Sequence, residues 1–158
     1  MLELKKIEKQ TSFNVKDQMI NVTLCKSTYE KQSIIEAALQ NAYNKEEQKM
    51  NRMIFDSTFY ALIVLKYTDI EIKDIENLAI CDLYDLLESY DIIQKTLDAI
   101  KEVNPNEIKE LISYADLAYE EFKESINSAG AAVNSLIIGL AQSLASVISA
   151  AKIIENNK

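Results

Sequence analysis

PNEIKELISYADLAYEEFKESINSAGAAVNSLIIGLAQSLASVISAAKIIE, residues 105 to 155, reads as one very long helix. Asn104 offers an N-cap side chain, Pro105 a first helical residue, and Glu107 a capping-box partner three residues after the cap. From there Ile112, Tyr119, Ile126, Val133, Leu140, Val147 and Ile154 fall seven apart. Ile108, Ala115, Phe122, Ala129, Leu136 and Ala150 fill a second seam, broken at Ser143. An a/d pattern held this long is a coiled-coil signature. At about 1.5 Å per residue an unbent helix of this length reaches roughly 75 Å, more than a compact domain needs, so something outside the chain's own core is expected against it.

The chain divides chemically near Glu124. Ser125 to Ala151, 27 residues, carries no charged side chain. That is long enough to cross a bilayer, and Ala131, Ser135, Gly139 and Ser143, four apart, form a ladder of small residues that admits a close helix. Asn134 and Gln142 interrupt it, however, and flanking basic anchors are sparse, with Lys152 just past its C-terminal end. Because the heptad runs through it, burial in a helical assembly is the expectation, with membrane insertion of residues 125–151 as an alternative. Ile126, Val133, Leu136, Ile137, Gly139, Leu140, Leu144 and Val147 are the expected interface residues.

The totals suit a mainly α protein. There are 158 residues with two Gly and one Pro, a composition for helices with few tight turns. That length allows one domain and an extension: a small helical domain over residues 1–104 with a minor β element, then the long helix over 105–158. Phe13 and Val15, then Ile20, Val22 and Leu24, alternate with polar neighbours inside residues 2–25, as a half-buried strand or hairpin would. Ser27 with Glu30 is a capping box for a helix over about 28–42, and Asn44 with Glu47 predicts a second over about 45–67. The run Asp69-Ile70-Glu71-Ile72-Lys73 switches to period two and reads as an extended connector. Two further helices are expected over about 75–90 and 92–103, the latter stopped by Pro105.

Charge and residue types narrow the chemistry. The net charge is -8, and between Asp69 and Glu124 sixteen acidic residues face five lysines, whereas residues 1–52 carry nine basic and seven acidic. Nucleic acid needs clustered cations, and this chain has one arginine, Arg52, so no nucleic-acid partner is expected. Histidine is absent, which removes Ser-His-Asp and Cys-His pairs and the HExxH zinc site. Cys25 and Cys81 form no CxxC and are expected as small apolar fillers in a reducing, intracellular setting. Asp82 and Asp85 share a helical face but lack a glycine-turned calcium loop, so a solvated face is expected rather than a metal site. No phosphate loop is present, and neither cofactor nor catalytic residue is assigned. The tyrosines at 60, 67, 84, 90, 114 and 119 are expected to cover the core edge with their hydroxyls in water. Charges in MLELKKIEKQ stand where a signal peptide needs its apolar region, so export by that route is not expected.

At Phe55-Asp56, Phe59, Ile63-Val64, Tyr67-Thr68-Asp69-Ile70, Asp82 to Glu88, Glu124 and Asn127-Ser128 the chain resembles small helical virion-assembly proteins of tailed phages, of the tail-assembly chaperone or minor head or tail component type. That resemblance implies a non-enzymatic protein that binds other virion subunits, located in the virion or host cytoplasm, and supplies no catalytic residue to carry over. The leading expectation is therefore a structural or assembly protein whose C-terminal helix associates with itself or with other virion proteins. A third reading is an acidic inhibitor or docking protein for a host enzyme, acting by electrostatic steering.

Overall fold

The computed structural model describes residues 10–129, which are mainly α-helical. The elements in order are β1 (Gln10–Val15), β2 (Gln18–Thr23), α1 (Thr28–Ala42), β3 (Tyr43–Asn44), β4 (Lys49–Met50), α2 (Arg52–Tyr67), a 3-10 turn (Ile75–Asn77), α3 (Ile80–Ser89), α4 (Ile92–Val103) and α5 (Pro105–Ala129). β1 and β2 form an antiparallel hairpin in which Val15 pairs with Gln18 and Phe13 with Ile20. Its alternation buries Ile20 and Val22 against the helices while Met19 stays outside, so the β element expected within residues 2–25 is present over 10–23.

Local chemistry accounts for the starts of α1 and α2. At α1 the predicted capping box forms: Ser27 Oγ accepts the Glu30 N–H at 3.2 Å, and the Glu30 carboxylate accepts the Ser27 N–H at 3.1 Å. Those Ser27 hydrogen bonds, backbone first, hold the Glu30 carboxyl below its ordinary value of 4.5. A depressed carboxyl contributes stability that is present above the unfolded value and lost as pH falls through the folded one. Ser27→Ala should therefore cost about 1 kcal/mol near neutral pH, and the gap in Tm between variant and wild type should narrow on acidification below 4.5, read by circular dichroism melts.

The second capping signature is used differently. Asn44 Oδ1 accepts from the N–H groups of Glu46 and Glu47 at 2.9 and 3.1 Å, but this closes the turn of the β3–β4 hairpin. The second helix starts later than expected, at Arg52, where the Asn51 side chain accepts the Ile54 N–H at 3.1 Å. The third also starts late: Ile75–Asn77 is a separate 3-10 turn and α3 opens at Ile80. α4 spans Ile92–Val103 as expected.

α1 and α2, joined by the small hairpin, pack side by side and antiparallel. Asn41 Nδ2 donates to Thr58 Oγ1 at 3.0 Å near one end, while Lys31 and Tyr67 meet on Glu107 at the other. α4 lies against β1, α2, α3 and α5, and α5 also covers α1 and β4. The core is continuous from Val22 to Ile126 and crosses the boundary expected at residue 104. Ile108, Leu111, Ala115, Ala118, Tyr119 and Phe122 of α5 are all buried in it. As far as Ala129, then, α5 belongs to the domain, and the first half of the heptad seam is covered by the chain itself. Arg52 fastens α2 to this helix: its guanidinium bonds Asp56 and Asp116 and lies 4.9 Å from the Tyr119 ring centroid. Burial opposes the charge, but the two carboxylates outweigh it and raise the Arg52 pKa.

Candidate functional site

Two features stand out, one open and one sealed. The open one is a cleft of about 480 Å³ between the β1–β2 loop, the connector Ile70–Lys73, and the end of α3 with the start of α4. Its outer wall is the period-two stretch. Asp69 clamps that wall to β2, accepting the Asn21 N–H at 2.8 Å and the Asn21 side-chain amide at 2.7 Å. These bonds, the side-chain one first, depress the Asp69 carboxyl. Beyond the clamp Ile70 and Ile72 turn half inward while Glu71 and Lys73 face water. The inner wall presents Leu86 and Tyr90, 37 and 39 % exposed. Lys16 reaches across, with Nζ 3.2 Å from the Tyr90 hydroxyl and 4.5 Å from its ring centroid.

The backbone is unusual where these segments meet. Lys16 opens the two-residue hairpin loop at φ 53, a position that glycine or asparagine ordinarily takes, and left-handed geometry costs such a residue about 1–2 kcal/mol. Asp74, φ 56, follows the connector, and Asp91, φ 58, sits between the lining residues Tyr90 and Ile92. Three of the four non-glycine residues with positive φ among the described residues thus border this cleft. Such geometry gathers at sites that bind. The charged side chains that line the cleft balance, Lys16 and Lys73 against Asp17 and Glu71, although the segment from Asp69 to Asp91 as a whole carries eight exposed carboxylates and one lysine, a net of -7.

The sealed feature is an ion pair in the core. Lys31 and Glu107 are 3 and 5 % exposed, and Lys31 Nζ lies 2.8 Å from Glu107 Oε2. Oε1 of the same carboxylate accepts the Tyr67 hydroxyl at 2.7 Å and the Lys26 N–H at 3.0 Å. Burial, then the neighbouring Glu107 charge, pushes the Tyr67 hydroxyl far above its ordinary range, so it stays a donor. Every buried side-chain nitrogen and oxygen among the described residues has a partner. Glu107 is therefore no capping-box partner. Its carboxylate points inward, and the Asn104 side-chain amide donates to the Leu24 carbonyl at 3.1 Å. The signal was present in the spacing: Lys31 shares a stripe with Ile34, Ile35 and Ala38, and Glu107 one with Ile108, Leu111 and Ala115.

Of the expected interface residues, Ile126 is 9 % exposed and packs in the chain's own core, because α1, α4 and β4 cover α5. Val133, Leu136, Ile137, Gly139, Leu140, Leu144 and Val147 lie outside the described residues. So does nearly all of the candidate membrane segment 125–151; among the described residues no helix is long and apolar enough to cross a membrane. Cys25 and Cys81 are exposed rather than apolar fillers. Tyr67 is wholly buried, hydroxyl included, which corrects the expectation of a tyrosine at the core edge. Asp82 and Asp85 stand on an exposed face, and no three Cys, Asp or Glu side chains converge for a metal among the described residues. Compared with known proteins, the chain matches no family model, and neither a curated protein nor a solved structure shows significant similarity to it.

Proposed function

We propose that this chain is a non-enzymatic interaction protein in which the helical domain holds out the uncharged C-terminal tract for association with copies of itself or with another subunit. The observation that carries this reading is the continuity of α5. The helix is built into the core from Ile108 to Ile126 and runs on through Ala129, so the tract that opens at Ser125 begins inside an anchored helix. The apolar seam of the sequence continues past that anchor at Val133, Leu140 and Val147. Each such aliphatic side chain is worth about 1.5–3 kcal/mol when buried, and a stripe of them left in water is a drive to associate. The resemblance to tailed-phage assembly proteins makes other virion subunits the partner class of choice.

The test is Leu140→Asp with Val147→Asp, followed by light scattering. Wild type should show a mass above the 17.9 kDa of one chain and the double variant should return to it, with an unchanged melt of the domain. A wild type that is monomeric at high concentration, and indistinguishable from the variant, removes the self-association reading.

A further inference from the structure

We propose that residues 74–91 form a strap over α2 and α4 that opens as a unit about Asp74 and Asp91, with the surrounding salt setting how long it stays closed. This device lies apart from the C-terminal tract, and the inference does not depend on the role given to that tract. The strap consists of the 3-10 turn and α3, and α3 packs against α2 and α4.

Little holds it down. α3 buries Leu83 and Leu87, the 3-10 turn buries nothing, and Ile75, Ile80 and Tyr84 are only partly covered. By comparison, α1, α2 and α4 each bury five residues or more. Among the described residues, no hydrogen bond or ion pair joins residues 71–89 to another element. The ties lie at the two ends, where Asp69 holds Asn21 and Tyr90 meets Lys16.

The helix is also weak in itself. Ala79 stands at its N-cap in extended geometry, φ -65 and ψ 151, but has no side chain to accept the free N–H groups of the first turn. No basic residue closes the last turn, where Glu88 faces the negative end of the helix dipole. Asp82, Asp85 and Glu88 follow at three-residue steps, a spacing at which like charges repel across a turn. Altogether residues 74–91 carry six exposed carboxylates and no cation. The Tyr84 hydroxyl registers that field: burial first, then Glu88, Asp56 of α2 and Asp85, push it above its ordinary value of 10.0. Salt screens repulsion between exposed charges, so the closed strap gains from ionic strength.

Both ends are suited to act as hinges. Asp74, φ 56, and Asp91, φ 58, hold left-handed geometry that release of the strap would relax. Opening would uncover the apolar sides of α2 and α4 on which Leu83 and Leu87 rest. The packing of α1 on α2, and of α5 on α1 and α4, would be untouched.

The experiment is amide hydrogen exchange of the full-length protein, read residue by residue by NMR. At about 50 mM salt the amides of residues 84–88 should exchange at least about tenfold faster than the slowest amides of α2 and α5, because they need only the strap to open. Raising salt to about 500 mM should slow them about threefold relative to α2. Asp85→Asn with Glu88→Gln should slow them at low salt and blunt the response to more, whereas Glu121→Gln with Glu124→Gln, exposed on α5, should not. Ala79→Ser, which supplies a capping hydroxyl, should slow the same amides about fivefold, a gain that misfolding cannot produce. Ser27→Ala separates local from global opening. It weakens α1, so it should speed the amides that exchange through global unfolding and leave residues 84–88 unchanged, since α1 is intact whether the strap is open or closed. If residues 84–88 exchange as slowly as the core and quicken with it in Ser27→Ala, the strap does not open on its own and the proposal is overturned. Local opening that neither salt nor the neutralised pair alters would remove the salt control and overturn it equally.

Discussion

Lys31→Met should destabilise the domain by about 3–5 kcal/mol, the cost of leaving a buried carboxylate without its counter-charge. Methionine fills the space of the lysine stem in α1, but Glu107 then keeps only the Tyr67 hydroxyl and the Lys26 N–H as partners. Hydrogen bonds of that kind do not replace an ammonium 2.8 Å away. For a chain of this size the loss corresponds to a fall in Tm of roughly 10 °C. Adding Glu107→Gln should restore much of it, because the amide oxygen can still accept from Tyr67 and Lys26 while the stranded charge is gone. The double variant should therefore be more stable than the sum of the single effects by about 1–3 kcal/mol. Strict additivity in denaturant titrations would mean that the pair is not coupled as the distances imply.

Phe122→Ala should cost about 3–5 kcal/mol, a loss of buried ring plus the cavity it leaves. Phe122 is fully buried and meets Tyr43 edge to face, with centroids 5.8 Å apart and planes at 82°. Tyr43 belongs to the small β3–β4 hairpin, so this ring locks the α1–α2 connection onto α5. A heptad residue that served only an outside partner would show no such effect at low protein concentration. Urea unfolding of a dilute sample separates these cases, since a concentration-independent drop in the midpoint places Phe122 in the chain's own core.

Those two positions also mark what the sequence could and could not reveal. Period and caps located α1 and α4 well, because Ser27 with Glu30 and the stop at Pro105 act within a single turn of chain. Asn44 misled because an Asx side chain satisfies the N–H groups two and three residues on equally well in a turn. The heptad seam of α5 identified the right face but not its cover, since apolar spacing reports that a face is buried and not by whom. Ile108, Phe122 and Ile126 found α1, α4 and β4. Lys31 and Glu107 were readable as polar residues on apolar stripes, yet the pairing joins positions 76 apart. The cleft was not legible at all: Lys16 and Tyr90 are 74 residues apart, and only the folded chain brings them together.

Hydrogen–deuterium exchange of the full-length protein at low and high concentration bears most directly on the role given to the C-terminal seam. Amides of residues 108–126 should be protected to the same degree at both concentrations, since their cover is intramolecular. Amides between Val133 and Val147 should gain protection as concentration rises. Protection there that is already complete in the dilute sample would mean the tract finds its cover within its own chain, and the interaction role would fall.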